Sequence, residues 1–123
     1  MKDRRIVVYV EDDPSVAGML LIQFAKQLVD TSVRHFTSAE AALECFNKKT
    51  EVVVTDNTLV GKMTGIELAE ELKKRAYDGR IIYTGGQKVP DNKINLFNRI
   101  FMKPYNLISL ISEINGCEIG AQR

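Results

Sequence analysis

Four hydrophobic runs in this chain each end in residues that can handle phosphate or a divalent cation. Ile6-Val7-Val8-Tyr9-Val10 leads into Glu11-Asp12-Asp13, Val52-Val53-Val54-Thr55 into Asp56, Ile81-Ile82-Tyr83 into Thr84, and Ile100-Phe101-Met102 into Lys103-Pro104. If these runs are buried parallel strands, their carboxyl ends share one sheet edge, where open α/β sheets bind their ligands. Carboxylates, a hydroxyl and an ammonium would then converge. Asp56 could attack a phosphoryl group to give an aspartyl phosphate. Crowded acidic side chains repel one another and tend to hold a proton, whereas a divalent cation favours the fully ionised set. Magnesium suits it, because it takes hard oxygen ligands and bridges to phosphate oxygens. Phosphoryl transfer also needs charge neutralised on the equatorial oxygens, and Lys103 and Thr84 offer an ammonium and a hydroxyl for that.

Taken singly, each residue has a plainer explanation. Asp13, just ahead of Pro14, is a good helix N-cap and is assigned to capping. Asp56 could be a turn residue, Thr84 a strand end and Lys103 a solvated charge. Their joint order at four strand ends carries the functional reading.

The elements that must hold these residues follow from periodicity. Val16, Ala17, Leu20, Phe24 and Leu28 recur at helical spacing after Pro14. A short strand is expected near residues 32–36, and Thr37-Ser38-Ala39-Glu40 has the spacing of a capping box opening a second helix. Thr64-Gly65-Ile66-Glu67 repeats that pattern before a third, and Asp78-Gly79 turns the chain into the next strand. Between Gly85 and Asn98, Gly85-Gly86 and Pro90 disfavour helix while Ile94, Leu96 and Phe97 call for burial, so at most a short helix is expected. A last helix runs from Asn106 as cap to Gly116 as stop. Strands alternating with helices predict a doubly wound parallel sheet in the order 2-1-3-4-5, with strands 1 and 3 at the switch point.

Composition narrows the function. The chain has 123 residues, 45% of them hydrophobic, enough for one domain with a real core. Its 17 basic and 16 acidic residues are mixed along the sequence, so charge nominates neither nucleic acid nor an anionic membrane as a partner. No apolar stretch approaches the roughly 20 residues that span a bilayer, and a cytoplasmic location is expected. Cys45 and Cys117 form no CxxC pair and have only His35 for company, so a zinc site or a disulfide framework is not expected; both read as reduced, structural thiols. His35 itself reads as a sheet-edge or surface residue.

With these motifs in hand, the chain resembles the receiver domain of two-component response regulators over nearly its full length. The resemblance implies a flavodoxin-like fold, with residues 1–116 as the receiver and 117–123 as a tail. It maps the metal-binding acidic pair to Glu11 and Asp12, the phosphoacceptor to Asp56, a further metal ligand to the backbone carbonyl of Thr58, the switch hydroxyl to Thr84 and the phosphoryl-binding lysine to Lys103, with a cis Lys103-Pro104 bond. It further implies Mg²⁺ as cofactor, a sensor histidine kinase or histidine phosphotransfer protein as donor, no enzymatic turnover beyond its own phosphotransfer and dephosphorylation, and output by binding a downstream protein unless the chain is a receiver excised from a longer protein. Two other functions remain open: a receiver-like module that signals without phosphorylation, and a Mg²⁺-dependent phosphohydrolase working through an aspartyl phosphate. Such hydrolases commonly carry an acid two residues after the nucleophile, where this chain has Thr58.

The chain departs from the pattern at three places. The segment after Asp56 has Val60 where the family usually has proline and is one residue longer than common, so a more mobile loop is expected. Ile100 stands three positions before Lys103, where the family has its aromatic switch residue. The interval from Thr84 to Lys103 is shorter than common by about one helical turn, so the fourth helix should be short or irregular.

Overall fold

The computed structural model describes residues 4–116; the expected tail, with Cys117, lies outside the described residues. Five parallel strands, β1 (Arg5–Val10), β2 (Thr31–Phe36), β3 (Thr50–Thr55), β4 (Arg80–Gly85) and β5 (Arg99–Met102), form one sheet in the order β2-β1-β3-β4-β5. Helices α1 (Pro14–Gln27), α2 (Ala39–Glu44), α3 (Gly65–Lys74) and α4 (Leu107–Ile114) connect or follow them. This is the doubly wound, flavodoxin-like arrangement expected from the alternation of runs.

Both faces of the sheet are covered, which is why the strands read as continuous apolar runs. Val7, Tyr9, Val54 and Ile82 pack with Ala17, Leu20 and Phe24 of α1 and Leu110 and Ile114 of α4. Val8, Val10, Val53, Ile81 and Tyr83 pack on the other side with Ala42 of α2 and Leu68, Ala69 and Leu72 of α3.

Helix ends mostly follow the sequence signals. Asp13 caps α1, its Oδ1 accepting from Ser15 at 2.9 Å, with Pro14 at the first helical position. Thr64 and Glu67 form the reciprocal capping box of α3, and Asn106 caps α4. The second helix differs: Ser38, not Thr37, is the cap, its hydroxyl accepting from the Ala41 N–H at 3.1 Å. Glu40 is thereby released from capping and reaches elsewhere. After α3 the chain turns through Ala76, with a φ of 63°, and bends again at Gly79 into β4, as Asp78-Gly79 led one to expect.

Between β4 and β5 the fourth helix is a 3-10 segment, Asp91–Leu96. Three-residue turns suit a short connection that starts after Pro90. Phe97 is buried against the ring of Tyr83 at 5.3 Å, and Lys93 pairs with Glu70 of α3. Ile94 stays 41% exposed, so that segment buries only part of its apolar content. Cys45, at the end of α2, is a free and exposed thiol rather than a core residue.

Two buried tyrosines offer a contrast. Tyr77 donates its hydroxyl to the Thr50 carbonyl at 2.9 Å, while the Tyr9 hydroxyl, fully buried, has no hydrogen-bond partner among the described residues. Removing a satisfied hydroxyl loses a hydrogen bond and strands its acceptor, whereas removing an unpaired one loses neither. Tyr77→Phe is therefore expected to cost about 1 kcal/mol of stability and Tyr9→Phe to be neutral or stabilising, as read from urea unfolding midpoints at equal m-value.

Candidate functional site

Parallel register assembles the site. Val10, Thr55, Tyr83 and Ile100 form one row across β1, β3, β4 and β5. Glu11, Asp56 and Thr84 come one residue later, and the Asp56 N–H continues the ladder by donating to the Val10 carbonyl at 3.1 Å. Alternation along each strand then puts their side chains on the α1 and α4 side, in step with Tyr9, Val54 and Ile82. Lys103, two residues past Phe101, joins them from β5 through a cis Lys103-Pro104 bond.

One carboxylate oxygen from each of Glu11, Asp12 and Asp56 lies within 4.8 Å of the others. Glu11 is 1% exposed, Asp56 8%, and Asp12 is half-buried. The Lys103 ammonium sits 3.1 Å from Asp56 Oδ2 and 3.5 Å from Glu11 Oε1. The other Asp56 oxygen accepts from the Asn57 N–H at 2.6 Å. Thr84 is buried, and its hydroxyl finds no partner among the described residues. Asp13 stands apart as the cap of α1, though its N–H donates to Glu11 Oε2 at 3.2 Å. Thr58 is exposed, two residues beyond Asp56; the role implied for it uses its backbone carbonyl.

Electrostatics follows the burial. Desolvation pushes the Glu11 carboxyl above its ordinary range and the Asp56 charge adds to this, against the Asp13 N–H and Lys103. Burial works to lower the Lys103 ammonium, yet the hydrogen bond and charge of Asp56, helped by Glu11, outweigh it and hold it above the usual value. Three carboxylates thus face one firmly charged ammonium. An all-oxygen, net negative donor set with no imidazole or thiol is what a hard divalent cation such as Mg²⁺ fits.

Beneath the cluster lie two phenols that sequence reasoning did not assign. Tyr9 and Tyr105 are both raised by desolvation and by the nearby carboxylates, so both stay neutral. An aromatic residue in an aliphatic strand, two positions before Glu11, was the available signal. Asn57 was also missed: its carbonyl accepts from Gly65, its Oδ1 from the Ile66 N–H at 3.0 Å, and its Nδ2 donates to Gln87 at 2.9 Å. Gly65 is required here, because a Cβ would stand 2.0 Å from the Asp56 carbonyl oxygen.

The loop from Asn57 to Thr64, expected to be more mobile for want of a proline, makes tertiary contacts that the sequence did not suggest. Val60 forms an isolated parallel bridge with Ser38, and Glu40 accepts from the Lys62 and Met63 N–H groups at 2.8 and 3.0 Å. Contacts with α2 restrain what proline would otherwise have restrained. At the opposite sheet edge a cavity of about 800 Å³ opens beside Arg5, Lys49, Glu51 and Arg80. Its arginines are engaged with Glu51 and Glu113, and among the described residues it gathers no comparable set of convergent groups.

Comparison with known proteins agrees with this geometry. The sequence model of the response regulator receiver domain matches residues 7–115. No curated protein sequence matches the chain. Among solved structures, the response regulator StyR aligns at 22% identity with a TM-score of 0.79, over 97% of this chain and 64% of its own length, so this chain spans less than two thirds of that regulator. A Francisella receiver domain, that of response regulator 1452, aligns at 21% identity and TM-score 0.76, covering 96% of this chain and 99% of that one. TrrA of Thermotoga maritima, solved with Mg²⁺ and beryllofluoride, aligns at 20% identity and TM-score 0.78, covering 91% and 97%. At these identities the structural likeness speaks for the fold, while the family match spans most of the sequence. The chain belongs to the response regulator receiver domain family.

Proposed function

We propose that this receiver accepts a phosphoryl group onto Asp56 from a sensor histidine kinase or a histidine phosphotransfer protein, and passes the signal on by binding a downstream protein. In this reading residues 1–116 act as the receiver, in the cytoplasm, without direct contact with nucleic acid or membrane. No described helix is long and apolar enough to cross a membrane. The observation that carries the proposal is the Lys103 ammonium held between Asp56 and Glu11 at the carboxyl edge of the sheet.

Chemically, an Asp56 carboxylate oxygen attacks phosphorus as the P–N bond to the donor imidazole breaks, and the freed nitrogen keeps its electron pair. The Asn57 N–H fixes one oxygen of Asp56 while Lys103 attracts the other, which orients the carboxylate before the donor arrives. The Lys103 ammonium is then within reach of a phosphoryl oxygen. Thr84, buried and without a hydrogen-bond partner among the described residues, would donate to another. Glu11, Asp12, Asp56 and the Thr58 carbonyl would hold Mg²⁺, whose charge, when bound, neutralises the phosphoryl oxygens.

Three outcomes test this. Acetyl phosphate or phosphoramidate with Mg²⁺ should add one phosphoryl group to the intact protein by mass spectrometry, and none to Asp56→Asn. A protein that takes no adduct would instead be a phosphorylation-independent module, and one that releases phosphate steadily from phosphomonoesters would be a hydrolase.

Binding to the folded state alone stabilises it, so Mg²⁺ at a hundredfold excess over its dissociation constant should add about 2.7 kcal/mol to unfolding. Asp12→Asn should lose most of that gain. An unchanged midpoint in the unaltered protein would sink the metal assignment.

The raised Glu11 carboxyl gives a signed pH dependence. A folded-state value above 4.5 means that the folded protein binds more protons than the unfolded chain, so stability falls as pH climbs from about 4.5 through the raised value. Above it the penalty is complete. Glu11→Gln removes this, and in chelator-containing buffer its stability should decline less between pH 4.5 and neutrality than that of the unaltered protein, as followed by urea unfolding.

A further inference from the structure

We propose that Glu40, on α2, is a positioning residue of the phosphoacceptor loop: its carboxylate latches the Lys62 and Met63 amides and thereby holds the Thr58 carbonyl where the metal needs it. The inference rests on the metal-dependent reading above and assigns a role outside the strand-end residues.

The loop from Asn57 to Thr64 contains no proline and carries a glycine at its middle, a composition that leaves much backbone freedom to be lost on ordering. Its two halves are fixed by different means. Asn57 is tied to the start of α3 through the Gly65 and Ile66 amides. The far half is tied to α2, by the Ser38 to Val60 bridge and by both amides on Glu40 Oε2. Only Thr58 and Leu59 span the gap between the anchors, and Leu59 packs on the core beneath.

Gly61 completes the latch. It has a φ of 93°, and a Cβ there would lie 2.7 Å from Glu40 Oε1, so the carboxylate occupies space that only glycine leaves open. Bonds from its own backbone N–H and from the Lys62 and Met63 amides hold the Glu40 carboxyl below its ordinary range, against desolvation. The acceptor therefore stays ionised, and its hydrogen bonds are charge-assisted. Partners of this kind, one step removed from a metal, set how well its ligands are aimed.

The test compares Mg²⁺ affinity, by calorimetry or amide chemical-shift titration, with hydrogen exchange of residues 59–63. Glu40→Ala should weaken Mg²⁺ about tenfold and speed exchange of those amides while the sheet amides keep their protection. Glu40→Gln keeps a carbonyl oxygen that can accept both amides and should stay within about threefold of the unaltered protein. Gly61→Ala, which forces the carboxylate away, should reproduce the alanine variant at position 40. If Glu40→Ala does not fold, Glu40→Asp, one methylene shorter, serves in its place. Mg²⁺ binding within about twofold of normal, with unchanged exchange in the loop, overturns the latch. If the unaltered protein binds no Mg²⁺, or Asp12→Asn binds it equally well, the metal reading fails instead. Loop exchange then decides the latch alone, faster exchange in Glu40→Ala upholding it and unchanged exchange refuting it.

Discussion

Three carboxylates gathered within 4.8 Å against a single ammonium form an arrangement that repels itself, and the rest of the molecule is organised to keep it assembled. The repulsion cannot relax by splaying, because Glu11 and Asp56 extend adjacent β1 and β3, whose ladder is flanked by buried valines on both faces. Nor can Glu11 swing to water: it is almost fully buried, and the α1 N-terminus crowds it with the Asp13 amide. Lys103, reaching in from the end of β5, offsets part of the charge. A protein that holds like charges together in a partly dry site retains a standing preference for cations, here met by the Lys103 ammonium and left incomplete by it.

The site was legible in the sequence because its chemistry is carried by residue type at the ends of apolar runs. A valine run ending in aspartate and a second run ending in three acids need only the parallel sheet rule to bring them together. The sheet order was legible through the alternation of strands and helices and the crossover rules, and the cap of α3 through a four-residue local pattern. What stayed hidden depends on contacts between segments far apart in sequence. Glu40 has the spacing of a capping residue relative to Thr37, and nothing local reveals that Ser38 takes over the cap and frees Glu40 for the loop carrying Lys62 and Met63. The same blindness made the loop after Asp56 look loose. Its restraint is tertiary, and Val60 betrays none of it.

The position of the aromatic ring near Thr84 is a sharper case. Ile100 stands where the resemblance puts an aromatic residue, yet its registered partner on β4 is Tyr83. That ring fills the same face of the sheet one strand over, fully buried and packed edge-on against Phe97 at 5.3 Å. A second large ring at position 100 would compete with it for the volume shared by both residues in the α3-side core. The aliphatic residue at Ile100 and the tyrosine on β4 are thus two halves of one packing solution. Reading position 100 by itself, as a missing feature, overlooked the partner that explains it.

Tyr83 also changes what the segment after Thr84 is attached to. Its hydroxyl donates to the Gln87 carbonyl at 2.7 Å, and the Gln87 side chain accepts from Asn57 at 2.9 Å, next to Asp56. Asp56 and the 3-10 segment are therefore joined by a short chain of contacts through Asn57, Gln87, Tyr83 and Phe97 that bypasses Thr84. The weakest step is the exposed Asn57 to Gln87 bond, worth about 1 kcal/mol or less, which caps what this route alone could transmit at about a fivefold change in any equilibrium it biases. Thr84, buried within the same strand, is not subject to that limit, because a phosphoryl oxygen would offer its unpaired hydroxyl a charged acceptor. Under the proposed phosphorylation the two routes would diverge at adjacent residues of β4, the one through Thr84 facing the α1 and α4 side.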